Sequence, residues 1–440
     1  MNEMILIRWL GRTSVSTWLI MFGLAFALMS PFGLQVFTLG ERFFVEVPLV
    51  ALFLIAAVSC PNFIKNLTVG LSRWQSVLIL TLIAIFGILG FLRHGDAVAI
   101  YGDVRASFIF VLTYVLLNEY YSRNARSEDV DLFILCTSLI AGALTVLHYK
   151  AGLSGAYFED KQSLPFFASA VSLIIATWFR MWILSALSLV LLVYVSIQSG
   201  FRMALVVSTF AFFIAVLTVI LRVKAEGEGR ALNATFSVCA AALLLLPLGF
   251  LAKGRIQAYW DDQLHAGRRY QEVIGKTENL LSFNRGDSDL NMSDMQRMDY
   301  YRDLVTNPSL YVFPRGLGSR INEEVDGSRF VLGFIGTGDS AFYFIAYHFG
   351  LPSLVLLSGL ISIWIVRRLP KLPWTRIILL LVSFLLVCAY GAVSAEMLTV
   401  IPKAIPFVFF LAFVERRFGG ARTPKGQRTD FAGARQRKHC

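Results

Sequence analysis

Three short polar stretches in an otherwise apolar chain carry groups able to hold an anion or take a proton. The first is Ser199-Gly200-Phe201-Arg202-Met203-Ala204-Leu205. A guanidinium at the edge of a membrane is partly desolvated, and its planar fork matches phosphate geometry. Arg202 therefore reads either as an anion ligand or as an arginine snorkelling to lipid headgroups at a tight turn. The second runs from Asp294 through Arg297, Tyr301, Arg302 and Asp303, and is followed by Phe313-Pro314-Arg315-Gly316-Leu317-Gly318. Arg297 and Tyr301 stand four apart and share a helix face. The glycine-rich turn can bring bare backbone N–H groups close to a ligand. The plain alternative is a solvated helix with surface ion pairs. The third stretch holds Asp339, Ser340, Tyr343, Tyr347, His348, Gly350 and Pro352. Asp339 sits where a helix opens, near its positive end, and reads as a base or as an N-cap. His348 is nine positions on, about 13 Å further along that helix and on its opposite face. The two are not one acid–base pair, and His348 reads as a packing residue.

These stretches need a frame, and the frame is a membrane. The 440-residue chain is 56% hydrophobic and 16% charged, with mean hydropathy +0.65. A soluble domain carries roughly a quarter charged residues. Repeated apolar runs predict about twelve transmembrane helices in an all-α integral membrane fold. The spans are 17–37, 43–59, 74–92, 103–118, 131–148, 164–179, 181–198, 203–221, 232–252, 340–366, 377–395 and 403–414. Arg8 and Arg12 precede the first run, which is read as an uncleaved span and not as a signal peptide.

The net charge is +11, and its distribution orients the bundle. With the N-terminus inside, the inner loops hold fourteen Lys and Arg, among them Arg180, Arg222, Arg367, Arg368 and Arg376; the short outer loops hold seven, such as Arg42, Arg93, Arg105 and Lys161. Short loops follow the positive-inside rule. Both termini are thus expected in the cytoplasm, with one long outer loop between spans nine and ten. The organisation is spans one to nine over 1–252, an outer loop with short helices over 253–338, spans ten to twelve over 339–414, and a basic, disordered cytoplasmic tail over 415–440. Within the loop, Ser293 is read as the N-cap of a helix over 294–305, and the stretch from 319 to 335 as irregular. The tail is expected to lie on the anionic inner leaflet, not on nucleic acid. None of the five cysteines falls in the outer loop, and their spacing matches no metal site, so no disulfide framework, metal or cofactor is expected.

Taken together, the pieces resemble the bacterial O-antigen polymerase and O-antigen ligase superfamily. The resemblance rests on a Ser-x-x-Arg-x-Ala-Leu outer turn at 199–205 and an Arg-led helix at Arg297. A Pro-x-Gly-x-Gly turn at 314–318 follows, then a polar residue opening a helix at Asp339 that ends Gly350-Leu351-Pro352. Ligases of this family usually have His-Asn where this chain has Asp339-Ser340, and aspartate there looks more like the polysaccharide polymerases.

The resemblance implies a glycosyl transfer at the periplasmic face of the inner membrane. The donor would be a glycan on undecaprenyl pyrophosphate, and the acceptor a sugar hydroxyl of another lipid-linked repeat unit. Arg202 and Arg297 would neutralise the pyrophosphate. Arg315, with Tyr301, Gly316 and Gly318, would bind the pyrophosphate or glycan or order the loop. Asp339 would be the base. Membrane lipids, a chain-length regulator and a flippase of the same pathway are the expected partners. The alternatives are an O-antigen ligase acting on lipid A-core, and a multi-span polysaccharide transporter or flippase.

Overall fold

The computed structural model describes residues 3–28, 38–39, 42–43, 53–55, 58, 63–95, 97–115, 117, 127–150, 166–199, 202–226, 302, 304–318, 322–325, 328–331, 340–393 and 401–419. The expected span 232–252, most of 43–59 and the loop from 253 to 301 lie outside them, as do Arg297, Tyr301 and Asp339.

The regular elements of the described residues are helices apart from two short antiparallel pairs, Thr38–Leu39 with Arg42–Phe43 and Asn322–Val325 with Ser328–Val331. In chain order the helices are α1 Glu3–Leu10, α2 Val15–Leu28, α3 Phe63–Leu71, α4 Trp74–His94, α5 Ala97–Val115, α6 Ser127–Lys150, α7 Phe166–Trp178, α8 Trp182–Ser199 and α9 Arg202–Glu226. They continue with α10 Ala341–Phe349, α11 Leu351–Arg368, α12 Trp374–Val393 and α13 Ile401–Arg417. Four are long and apolar enough to cross a membrane, over Ser76–His94, Glu128–Leu147, Leu351–Lys371 and Trp374–Ala392. Val15–Ala25, Phe166–Trp178, Trp182–Val195 and Val206–Leu221 are shorter apolar helices. A multi-pass membrane protein is what such a set of helices builds.

Burial separates a centre from a periphery. Every residue of α7 from Phe166 to Thr177 is buried, and the helix is packed among α6, α8, α9 and α13. Phe167 is the hub: its ring lies 5.3 Å from Tyr390, 5.8 Å from Phe407 and 5.7 Å from Phe410. Gly142 lets α6 approach α7, since a Cβ there would sit 3.1 Å from Ser169 Oγ. Small residues at helix contacts are how membrane bundles pack, because lipid is as apolar as leucine. Helices α4 and α11 are peripheral and turn large apolar side chains such as Ile88, Leu92, Val355 and Leu356 outward.

One end of the bundle is tied by charge. Asp131, fully buried near the start of α6, accepts from Arg416 Nη2 at 2.9 Å and from Arg417 Nε at 2.6 Å. Both arginines close α13, and Arg417 also lies 5.3 Å over the Phe179 ring just past α7. The tail expected to be disordered from 415 is thus helical to Arg417, because its first charges are paired within the bundle. Glu415 takes Arg368 Nη2 of α11 at 3.1 Å and the Tyr114 hydroxyl of α5. Arg368 stacks on Trp364 at 4.3 Å and donates to the Gly419 carbonyl at 2.7 Å. Five helix ends thus meet at one pole.

Two expectations about local structure are corrected. The span 340–366 is not one helix. It breaks at Gly350, whose φ of 83° is left-handed, and α11 restarts with Pro352 in its first turn. Proline lacks the N–H that a continuous helix would need there. The stretch after the glycine turn is not wholly irregular either. Glu323 pairs with Phe330 and Val325 with Ser328 in an antiparallel hairpin.

Candidate functional site

The pole opposite the charged knot is organised around α10. Ser340 caps it: its Oγ accepts from the Tyr343 amide at 3.3 Å and donates to the Gly391 carbonyl at 3.4 Å. The capping role that sequence alone allows Asp339 therefore belongs to its neighbour. Ser340 stands beside the end of α12, at the edge of the Trp374–Ala392 span.

Tyr343 and Tyr347 lie four apart on one face of α10, their rings stacked at 5.9 Å. Tyr311, from the Pro308–Tyr311 3-10 turn, adds a third ring 5.7 Å from Tyr343, and the two hydroxyls are 3.1 Å apart. Arg315 lies over this row. Its guanidinium is 4.7 Å above the Tyr347 ring and Nη1 donates to the Tyr347 hydroxyl at 3.2 Å. The side chain remains exposed. An exposed cation stacked on tyrosine, above buried aromatic rings, suits a ligand with an anionic group and an apolar or sugar face.

The glycine turn holds Arg315 in place, by a route that differs from the sequence expectation. Its amides do not point at open space. The Arg315 amide donates to the Tyr347 carbonyl at 3.2 Å, Gly316 to the His348 carbonyl at 3.1 Å, and Leu317 to the Phe86 carbonyl at 2.9 Å. The Gly318 amide donates to Asp103 Oδ2 at 2.7 Å. Two of these fill carbonyls at the C-terminal end of α10, which no intrahelical amide can reach. On the acceptor side, Arg93 Nη1 donates to the Pro314 carbonyl at 2.6 Å and His348 Nδ1 to the Gly316 carbonyl at 2.8 Å. A carbonyl only accepts, so Nδ1 carries the proton. Fully buried, His348 is the packing residue that its position suggested.

Glycine is required in this turn twice over. Gly316 and Gly318 adopt φ of 88° and 79°, which a side chain disfavours. A Cβ on Gly316 would also strike the Gly90 backbone, and one on Gly318 would come within 2.5 Å of Ile100. Gly90 is reciprocal: a Cβ there would fall on the Leu317 carbonyl. The turn is thus clasped between α4, α5 and α10.

Of the residues singled out from sequence, Arg315, Gly316, Gly318, Tyr343, Tyr347 and His348 come together here. Arg202 opens α9, and its side chain, like all of Arg297, Tyr301 and Asp339, lies outside the described residues. The sequence reading missed Gly90, Arg93 and Asp103 as partners of the turn. Asp103 had a usable signal, because a carboxylate inside an apolar run asks for a buried partner. Among the described residues no three His, Cys, Asp or Glu side chains converge on a point. Comparisons with protein-family models, curated proteins and solved structures find no match for this chain.

Proposed function

We infer that this protein is a polysaccharide polymerase of a bacterial inner membrane. It would join oligosaccharide repeat units carried on undecaprenyl pyrophosphate, at the periplasmic face. The observation that carries the reading is the seating of the Pro-x-Gly-x-Gly turn on the end of α10, with Arg315 over Tyr347. Two motifs of the resemblance, separated by a loop segment in sequence, meet at the C-terminal end of one helix. The topology draws support from the charged pole. The ends of α5, α6, α11 and α13 that meet there are the ends to which the positive-inside rule assigns the cytoplasm. The glycine turn is at the other pole, where the reading needs it.

In this reading the acceptor sugar oxygen attacks the anomeric carbon of the donor glycan. The bond from that carbon to the pyrophosphate oxygen breaks, and the electron pair leaves with undecaprenyl pyrophosphate. Arg202 and Arg297 meet the charge developing on the leaving group, the largest electrostatic demand of the step. Asp339 takes the acceptor proton. Arg315 contributes a fixed guanidinium further along α10, over Tyr347.

The test is the size distribution of surface polysaccharide in a deletion strain carrying wild type, Arg202→Ala, Arg297→Ala or Asp339→Asn. A polymerase predicts single repeat units on the cell for each variant. Full-length chains held on undecaprenyl pyrophosphate would make it a ligase. Repeat units trapped on the inner face would make it a flippase.

A further inference from the structure

We propose that residues 310–318 form a re-entrant segment sunk into the outer half of the bilayer, with Leu310 and Phe313 in contact with lipid acyl chains. The inference rests on the membrane-spanning helices and not on the polymerase reading.

Two rulers, counted along helices that run with the membrane normal, give the depth. Ser340 meets Gly391 at the edge of the Trp374–Ala392 span, and Gly350 is ten residues further along α10, about 15 Å deeper at 1.5 Å per residue. Gly350 touches the segment: a Cβ there would be 3.1 Å from the Val312 carbonyl and 3.3 Å from the Pro314 nitrogen. On the other side, Leu317 bonds to Phe86, eight residues inside the His94 end of the Ser76–His94 span, about 12 Å down. Half of the hydrocarbon core is about 15 Å. Both rulers place non-helical backbone well within the outer half.

Such backbone survives at that depth only if its polar groups are satisfied by protein, since each orphan would cost several kcal/mol. The glycine turn at the inner end of the segment meets this condition over 315–318 on its donor side. The amides of Arg315, Gly316, Leu317 and Gly318 all donate to protein, and the carbonyls of Pro314 and Gly316 both accept from side chains. A surface loop in water would have no need of four consecutive amides bonded to protein.

Apart from the Arg315 guanidinium, the exposed side chains of 310–318 are apolar, the opposite of what water would select. Phe313 is 75% exposed and Leu310 56%. Leu92 of α4 is likewise 77% exposed and Leu356 of α11 54% exposed. The occupant this surface fits is the lipid that covers those two helices.

The test places the photoreactive residue p-benzoylphenylalanine at position 313, and separately at 310, in the full chain. Each variant is reconstituted in vesicles of phosphatidylethanolamine and phosphatidylglycerol, irradiated and weighed intact. The same label at Leu356 is the lipid-facing reference. The expected result is a mass gain of one phospholipid at 313 and 310, as at 356. Unmodified protein at both positions while 356 gains lipid would overturn the proposal. So would a cross-link to residues 253–301, which would mean that the polar loop covers this face. The swap at 313 is aromatic for aromatic on an exposed site, and two positions guard against one misfolded variant.

Discussion

Gly316 and His348 bind each other in both directions. The Gly316 amide donates to the His348 carbonyl at 3.1 Å, and the Gly316 carbonyl accepts from His348 Nδ1 at 2.8 Å. The pair welds a turn of the loop to the end of a helix that begins beyond it, and so sets where Arg315 stands. Its sensitivity is measurable. Gly316→Ala must adopt φ near 88° and press a methyl on Gly90, whereas Gly95→Ala must adopt φ of 67° with nothing within 4 Å. The left-handed cost of about 1–2 kcal/mol is common to both. Thermal unfolding in detergent should therefore show Gly316→Ala the less stable of the two. Equal shifts would mean that the clasp is not close-packed.

The same contact can be attacked from the other side. Gly90 and Gly359 are both helical, and a helical Gly→Ala normally gains up to about 1 kcal/mol in propensity. Gly359 has nothing within 4 Å of a new Cβ, but Gly90 faces the Leu317 carbonyl. Gly359→Ala should hold or raise the melting temperature. Gly90→Ala should lower it and loosen the turn, seen as faster proteolysis in the loop.

Asp103 offers a graded test. Its Oδ2 accepts from the Gly318 amide across the α5 interface. Asp103→Asn keeps an acceptor, while Asp103→Ala strands a buried amide at about 1–3 kcal/mol. Alanine should be the more destabilising substitution. The reverse order, measured by unfolding, would indicate that the charge and not the acceptor matters.

At the far pole, Asp131 balances two guanidiniums, and removing it leaves both in a buried site. Asp131→Ala should cost about 3–5 kcal/mol, more than Arg416→Leu alone, which leaves Arg417 on Asp131. The two poles share no partner. The costs of Asp131→Ala and Gly316→Ala should therefore add within about 0.5 kcal/mol. A larger coupling would reveal communication along the bundle.

Much of the architecture could be read from residue order, because a run of some twenty apolar residues has few other homes. The expected spans 74–92, 131–148 and 181–198 fall on α4, α6 and α8 with ends off by four residues or fewer. The break in span ten could be read as well: Gly350-Leu351-Pro352 is a stop and restart written in two residues. Asp326-Gly327 likewise announces the hairpin between Val325 and Ser328. The clasp was not legible. It joins Gly318 to Asp103 and Pro314 to Arg93 across more than two hundred residues, and nothing local encodes such a distance. The expectation of bare amides failed for a related reason. A glycine that allows a ligand close approach allows another backbone the same approach, and here α4 and α10 took the place.

Arg315 is where stability and function can be told apart. Its guanidinium is exposed, stacks 4.7 Å over Tyr347 and donates to the Tyr347 hydroxyl, while its own backbone amide holds the Tyr347 carbonyl. Arg315→Lys leaves the backbone bond and the charge but loses the planar fork. An exposed cation–π contact is worth about 0.5–1 kcal/mol, so unfolding should move little. If the fork meets a pyrophosphate beside Tyr347, polymer formation should fall more than tenfold, which is about 1.4 kcal/mol of lost binding in the transition state. Chain-length profiles and melting temperatures on the same variant then divide the two roles. A loss of polymer matched by an equal loss of stability would reduce Arg315 to a residue that holds the turn. A loss of polymer with the fold intact would assign its guanidinium to the substrate.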